Sequence, residues 1–287
     1  MLERLTFPIV DTHLHVWDID RLEYPWLQEV PLINKTFLLD DYNRACAPVT
    51  VERMVFVQCE AAFSQFMQET EWVDSLADHE SRLQGIVPWA PLENGDAVRD
   101  DLERLASNPR VKGIRRIIQF EPDITFCLRP DFVRGVQALT HYNLSFDICV
   151  APQHLPNTIK LVQQCPNVQF VLDHCAKPDV KHQRLDPWRA DIATLAAFPN
   201  VWCKISGLVT EADHNNWQNT LLKPYIDYVI EQFGFDRVMY AGDWPVASQA
   251  ASYPRWVEAL LWAVQACSPD ELKKLFHDNA ITFYKLA

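Results

Sequence analysis

Short apolar runs alternate with segments of helical periodicity along the whole chain. Runs rich in β-branched and apolar residues predict eight strands: Ile9–Trp17, Arg53–Ala61, Leu83–Leu92, Val111–Ile118, Leu144–Val150, Val168–Cys175, Val201–Leu208 and Arg237–Pro245. Several of these runs are continuously apolar, which is typical of parallel strands covered on both faces. Apolar spacings of three and four residues predict eight helices: Gln68–Asp78, Asp96–Ala106, Asp131–Tyr142, Leu155–Gln164, Pro187–Ala197, Trp217–Phe233, Pro254–Cys267 and Pro269–Leu286.

Prolines support these boundaries. Pro109, Pro166 and Pro199 each lie beside an asparagine, just before a valine that begins a strand. Proline ends a helix because it lacks the N–H donor and clashes with the preceding turn. The regular alternation, without a linker or a change of composition, predicts a single (β/α)8 TIM barrel domain over residues 1–287. The one long connection, Asp18–Leu39, is predicted to cap the barrel mouth.

Histidines and an aspartate end three of the predicted strands. His13 and His15 end the first, His174 the sixth and Asp243 the eighth. The active site of such a barrel lies at the carboxyl ends of its strands, and residues two apart on a strand face the same side. The four side chains are therefore predicted to be catalytic and able to hold one divalent metal ion. For His13 and His15 the alternative is a pair of core histidines bonded to backbone carbonyls. For His174 it is a histidine that only supports the site or bonds to Asp173, and for Asp243 it is a helix N-cap.

Further residues near strand ends are candidates for substrate contact. Arg115 could bind a carboxylate or polarise a carbonyl, and a surface salt bridge is the alternative. The other candidates are Gln58, Glu60, Trp89, Gln119, Asp147, Trp26 and Trp244. Trp26 and Trp244, together with Trp17, could form an aromatic wall against a sugar ring or simply fill the barrel rim.

Charge and composition exclude several functional classes. The net charge is −12, from 38 acidic and 26 basic residues, which argues against nucleic-acid binding because phosphates need clustered Lys and Arg. No apolar run approaches the ~20 residues of a membrane span, and the N-terminus lacks the features of a signal peptide. The eight cysteines are scattered without a C-x-x-C pair, so a cytoplasmic location is expected. The absence of G-x-S-x-G and of phosphate-binding glycine motifs disfavours a serine hydrolase and a nucleotide-binding protein.

Taken in order, the motifs of this chain resemble the amidohydrolase superfamily, and within it the sugar-lactonase branch of the amidohydrolase 2 type. The resemblance rests on VDTHLHVWD, YPWL, VFVQCE, VKGIRR, VLDHCAKP and GDWP, which extend from the first predicted strand to the last. This branch includes L-fuconolactonase, L-rhamnonolactonase and 2-pyrone-4,6-dicarboxylate lactonase. Many superfamily members have a bridging Lys or Glu on strand 4 and a His on strand 5, whereas this chain has Arg115 on strand 4 and no His on strand 5. The resemblance therefore implies one metal ion, Zn²⁺ or Mn²⁺, or none, instead of a two-metal centre.

The resemblance also implies that the chain opens the ring of a sugar-acid lactone. Asp243 is the expected base that activates a water, while the histidines, directly or through a metal ion, and Arg115 stabilise the oxyanion. One alternative is a metal-dependent decarboxylase or hydratase of an aromatic or unsaturated dicarboxylate. The other, of a different class, is a non-catalytic barrel that binds a sugar acid.

Overall fold

The computed structural model describes residues 1–287, which form a barrel of parallel strands surrounded by helices. The strands are β1 (Ile9–Leu14), β2 (Val51–Val57), β3 (Leu83–Val87), β4 (Gly113–Arg115), β5 (Ser145–Ile148), β6 (Phe170–Leu172), β7 (Val201–Ile205) and β8 (Val238–Tyr240). The α-helices are α1 (Leu39–Cys46), α2 (Phe66–Ala77), α3 (Arg99–Ala106), α4 (Pro130–Ala138), α5 (Leu155–Gln164), α6 (Trp188–Ala196), α7 (Asn219–Phe233), α8 (Tyr253–Ala263), α9 (Pro269–Lys273) and α10 (Asn279–Tyr284). No helix is long and apolar enough to cross a membrane.

Backbone pairing joins the strands into a closed sheet. Strands β1–β3 form one parallel ladder and β4–β8 form a second, each in chain order. The ladders meet at two seams, where Ile86 of β3 pairs with Val111 before β4, and Leu14 of β1 pairs with Trp244 after β8. The predicted (β/α)8 barrel is thus confirmed, while its assignment as a single domain stays a prediction.

A register irregularity in β1 turns its histidines toward the barrel interior. Val10 packs in the interior apolar cluster. His13 comes three positions later, so strict alternation would place it on the opposite face. The pairing with β2 shifts between Asp11 and Leu14, and a bulge of this kind reverses the alternation. His13 and His15 consequently point inward together.

The C-terminal segment closes the opposite end of the barrel. Ala280, Tyr284 and Leu286 pack against interior side chains such as Val10 and Met239. The helix predicted over Pro269–Leu286 is present as α9, a π-helical turn over Lys274–Asp278 and α10, which follow one another without a break.

Two further differences from the predicted elements affect the site. Helix α1 was not predicted, because it has only eight residues and few of them are apolar. The predicted sixth and eighth strands extend too far, because β6 and β8 end before His174 and Asp243. Both residues have a φ of 53°, a left-handed conformation that a strand cannot include.

Helix α4 reaches the segment before α3 only because residue 135 is a glycine. A Cβ at Gly135 would lie 2.0 Å from the Leu92 carbonyl oxygen. We expect Gly135→Ala to lower the free energy of unfolding by about 1–3 kcal/mol through overpacking, measured by urea denaturation. Gln137→Ala, at an exposed position of the same helix, is the control. Equal losses in both variants would contradict this close approach.

Candidate active site

Three imidazoles and one carboxylate converge at the carboxyl ends of β1, β6 and β8. The Oδ1 atom of Asp243 lies 3.5 Å from Nε2 of His15, and 3.9 Å from Nε2 of both His13 and His174. The Nε2 atoms of His13 and His15 are 3.2 Å apart. All four side chains are buried, with His15 the most exposed at 5%. The structure thus brings together the four residues that the sequence placed at strand ends.

Unusual backbone conformations aim these side chains. The N–H of Asp243 donates to the His13 carbonyl over 2.7 Å, which fixes the aspartate to β1 despite its positive φ. His174 begins four consecutive residues of positive φ that end at Lys177. Gly207, with a φ of 63°, backs the His174 ring, and a Cβ there would lie 2.8 Å from its Cγ. Such strained backbone persists only where the surrounding structure holds it, and it is concentrated at functional sites.

Hydrogen bonding leaves the His15 Nε2, at the centre of this cluster, without a proton. The Nδ1 atom of His15 lies 2.7 Å from the Val57 carbonyl oxygen, so Nδ1 carries the proton and Nε2 is a bare lone pair. That lone pair faces the His13 Nε2 and the Asp243 Oδ1, and a carboxylate can only accept. Acceptors this close repel one another unless a cation or a shared proton lies among them.

Burial fixes the protonation states of the cluster. It lowers the pKa of His174 to about 4, and it also lowers the pKa values of His13 and His15. Burial alone would raise the pKa of Asp243. The neighbouring His174 and His15 outweigh this effect and hold the pKa of Asp243 below its usual range. At neutral pH the cluster therefore consists of neutral imidazoles around one ionised carboxylate.

This donor set fits a divalent metal ion. Zinc prefers nitrogen and oxygen ligands at about 2.0–2.1 Å in tetrahedral geometry, which places the ligand atoms about 3.3–3.4 Å apart. The spacings among His13, His15 and Asp243 run from 3.2 to 3.9 Å. A group of His13, His174 and Asp243 also has its ligand atoms within 4.8 Å of one another. Ligand identity and spacing both agree with a single-ion site.

The balance of buried charge favours a cation as well. Around the histidines, the buried carboxylates of Asp147, Asp173 and Asp243 accompany the buried cations of Arg115 and Lys204. The excess negative charge has no solvent to stabilise it. A cation among the histidines would offset it.

Arg115 lies beside the cluster, as one of the two alternatives for this residue predicted. Its Nη1 atom is 3.2 Å from the His13 Nε2 and 3.4 Å from the Asp173 Oδ2, and its Nη2 donates to the Gln58 carbonyl over 2.5 Å. The same His13 nitrogen can thus serve either the guanidinium or a metal ion. The Nε of Arg115 is buried and has no partner, so one N–H donor is available for another oxygen. Arg116 points away, toward Glu93.

Three of the predicted polar contacts lie around the strand ends near Arg115. Gln58 is fully buried and donates to the Glu60 carboxylate over 2.7 Å. Glu60 is half-buried, with a φ of 53°. Gln119 is half-buried and accepts from the Cys149 thiol over 3.5 Å. Their roles in substrate binding stay predictions.

The predicted aromatic residues at the barrel mouth differ in burial and packing. Trp26 is half-buried and meets Trp17 edge-on at 5.5 Å, while its indole N–H donates to the Cys59 carbonyl. Trp244 is buried between Phe37 and the ring of Tyr42, so it packs the rim.

Among the predicted tryptophans, Trp89 has an indole N–H without a hydrogen-bond partner. Its ring stacks on Phe63, with centroids 5.1 Å apart, and its buried indole N–H has no partner. Phe63 itself is 59% exposed.

Asp147 lies beneath the histidines, with both of its carboxylate oxygens in the barrel interior. It is fully buried and its Oδ2 accepts from the Lys204 Nζ over 2.6 Å and from the Tyr284 hydroxyl over 2.7 Å. The structure places it in a closed polar network and not at the rim. Its predicted contact with substrate has no support from this position.

Sequence reasoning missed Lys204 and Ser206. Ser206 Oγ lies 2.8 Å from the His174 Nδ1, and the Lys204 Nζ lies 3.3 Å from the His13 Nδ1. Both residues sit two apart at the end of β7, on the face that carries the active site. A lysine inside the apolar run VWCKIS was the available signal.

The chain is similar to known proteins over nearly its whole length. The profile of the amidohydrolase family matches residues 10–286. An L-fucono-1,5-lactonase of Burkholderia ambifaria is 31% identical, over 98% of this chain and 97% of its own. An L-rhamnono-gamma-lactonase of Scheffersomyces stipitis is 21% identical, over 98% of this chain and 99% of its own. The crystal structure of an amidohydrolase from Burkholderia multivorans with bound Zn has a TM-score of 0.88 and 29% identity, over 98% of this chain and 100% of that chain.

The lowered pKa of His174 predicts a loss of stability in acid. In metal-stripped protein, the unfolded chain binds a proton with a pKa of 6.5 and the folded chain with one of about 4. Between these values the unfolded state binds more protons, so the free energy of unfolding falls as the pH drops from 7 to 4, by about 3 kcal/mol for this group. Urea denaturation of the wild type and of His174→Gln at both pH values measures it. The variant should lose correspondingly less, with His79→Gln, at an exposed position, as the control. The same acid loss in wild type and His174→Gln would contradict the assignment.

Proposed function

Because the chain belongs to the amidohydrolase family, we propose that it is a lactonase that hydrolyses the ring ester of a sugar-acid lactone such as L-fuconolactone or L-rhamnonolactone. The observation that carries this proposal is the cluster itself. An ionised aspartate lies among three neutral imidazoles, beside a guanidinium with a spare N–H, at the carboxyl ends of the strands.

Asp243 is the proposed base. Its carboxylate is ionised at neutral pH and can take a proton from a water molecule as the water oxygen attacks the lactone carbonyl carbon. The acyl C–O bond then breaks, and the same carboxyl group returns the proton to the leaving ring oxygen. Asp243 suits both steps because its backbone is fixed to β1 and its Oδ1 faces the imidazoles.

Arg115 is the proposed stabiliser of the oxyanion. Contacts with Gln58 and Asp173 hold its guanidinium in place, and the unpartnered Nε–H remains to donate to a developing negative oxygen. A preorganised donor of this kind in a buried site contributes roughly 3–4 kcal/mol to transition-state stability. A divalent cation held by His13, His15, His174 and Asp243 would supply Lewis-acid polarisation of the substrate carbonyl.

Unpartnered polar groups at the rim are the proposed partners of the sugar hydroxyls. The Tyr24 hydroxyl and the Trp89 indole N–H are both buried without a hydrogen-bond partner. Glu60 adds a half-buried carboxylate next to Gln58. Polar groups of this kind favour a polyhydroxylated ring over a purely apolar one, since a substrate hydroxyl would satisfy them.

The decarboxylase reading receives less support from the interior of the barrel. Strand β5, where a metal-binding histidine would lie, carries Phe146 and Asp147 and no histidine. The Asp147 carboxylate already accepts hydrogen bonds from Lys204 and Tyr284. The non-catalytic reading leaves the ionised Asp243 without a use.

Substrate preference is tested by proton release from a panel of fucono-, rhamnono-, galactono- and arabinonolactones at constant pH. The expected result is turnover of deoxy-sugar lactones with Zn²⁺- or Mn²⁺-reloaded protein, well above the spontaneous rate. Intact lactones in every condition, together with carbon dioxide release from carboxylated ring substrates, would overturn the proposal in favour of a decarboxylase.

Replacement of the proposed base should abolish most turnover. We expect Asp243→Asn to lower kcat by about 10²–10⁴-fold, because an amide cannot accept the water proton. Asp227→Asn on α7, whose carboxylate pairs with Lys223 on the surface, is the matched control and should retain wild-type kcat. A kcat for Asp243→Asn within twofold of the control would refute the role.

A further inference from the structure

Lys204 is a fully buried lysine below the imidazole cluster, and the proposed reaction does not use it. It lies on β7 with no exposed surface. Its Nζ is 2.6 Å from the Asp147 Oδ2, 3.0 Å from the Asp173 Oδ1 and 3.3 Å from the His13 Nδ1. One ammonium group thus contacts two buried carboxylates and reaches one of the imidazoles.

Burial of a lysine in this way is costly, and an apolar side chain would pack as well. A buried ion pair is often no more stabilising than apolar residues of similar volume. Asp147 and Asp173 outweigh the effect of burial and raise the pKa of Lys204, so the ammonium stays charged. Stability alone therefore gives a poor account of the lysine, and orientation of its partners gives a better one.

Asp173 connects the lysine to the active site. Its Oδ1 lies 3.4 Å from the His13 Nδ1, and its Oδ2 lies 3.4 Å from the Arg115 Nη1. The Arg115 Nη1, which can only donate, lies 3.2 Å from the His13 Nε2, so Nε2 is the lone pair and Nδ1 carries the proton. At Nδ1 the Asp173 carboxylate is the group that can accept this proton. Nε2 is the His13 atom that faces His15 and Asp243.

The lysine is itself anchored from the far end of the barrel. The Tyr284 hydroxyl of α10 donates to the Asp147 Oδ2 over 2.7 Å, and the Lys204 Nζ lies 5.5 Å from the centre of the Tyr284 ring. A continuous chain of contacts therefore runs from α10 through Asp147, Lys204 and Asp173 to His13.

We propose that Lys204 is a positioning residue that holds Asp173 against the His13 Nδ1, so that His13 presents its Nε2 lone pair to the centre of the cluster. Asp147 and Tyr284 fix the ammonium in the place where it can do so. The consequence for turnover rests on the proposed lactonase function, whereas the consequence for the His13 tautomer does not.

The test removes the lysine together with one carboxylate, because Lys204→Met alone would leave two buried carboxylates short of a partner. The double variant Lys204→Met/Asp147→Leu keeps the buried charge unchanged, and Asp173 still has Arg115. Lys223→Met/Asp227→Leu, a surface pair on α7, is the matched control. Tyr284→Phe, which removes one hydroxyl and keeps the ring, serves as a milder variant if the first double variant does not fold.

Two measurements on metal-stripped protein decide the matter. In the ¹⁵N spectrum of histidine-labelled wild type, His13, assigned by His13→Gln, should show a protonated Nδ1 and a bare Nε2. Lys204→Met/Asp147→Leu should shift both signals toward a mixture of tautomers, and Zn²⁺ affinity should fall by about 10–100-fold. Tyr284→Phe should shift them in the same direction by less, and the surface pair should change neither.

The proposal would be overturned if Lys204→Met/Asp147→Leu showed unchanged His13 signals and a Zn²⁺ affinity within twofold of wild type. If only Tyr284→Phe folds, a spectrum identical to that of the wild type would overturn it. A shift of the tautomer in a protein that opens no lactone would support the positioning role and count against the lactonase alone.

Discussion

The crowding of lone pairs among His13, His15, His174 and Asp243 is the constraint on which the rest of the site depends. Within 3.2–3.9 Å, bare nitrogens face one another and an ionised carboxylate, out of contact with water. Such an arrangement is unfavourable by itself, since burial keeps water from these acceptors and the Arg115 Nη1 reaches only the His13 Nε2. It becomes favourable when a positive charge lies among the acceptors, which is the situation that a metal-assisted or proton-transferring enzyme needs.

Contacts from three parts of the barrel keep these four side chains together although their lone pairs repel one another. The β1 bulge turns two histidines inward, and the seam between β1 and β8 fixes Asp243. The left-handed turn after β6 and the close approach of Gly207 fix His174. From below, Lys204 and the carboxylates around it support His13. Rigid placement of this kind is what allows a small cluster to polarise a substrate without first reorganising.

The sequence was sufficient for the barrel and for the convergence of its four chemical residues, because strand-end position in a repeated βα pattern determines both. It was insufficient where tertiary contacts override a local pattern. The apolar continuation of β6 and β8 concealed the left-handed residues His174 and Asp243, whose conformation depends on contacts with other strands. The closed environment of Asp147 depends on Tyr284, which lies more than a hundred positions later in the chain. Lys204 could have been found by strand parity, whereas its partners could not.

Titration of metal-stripped protein with Zn²⁺ at neutral pH, followed by calorimetry, tests the central claim most directly. The account predicts one ion per chain, with binding lost in His15→Ala and lactone turnover recovered in proportion to the occupied sites. Absence of binding, with lactone turnover unaffected by a chelator, would contradict it and would mean that a shared proton, and not a metal ion, lies among the four side chains.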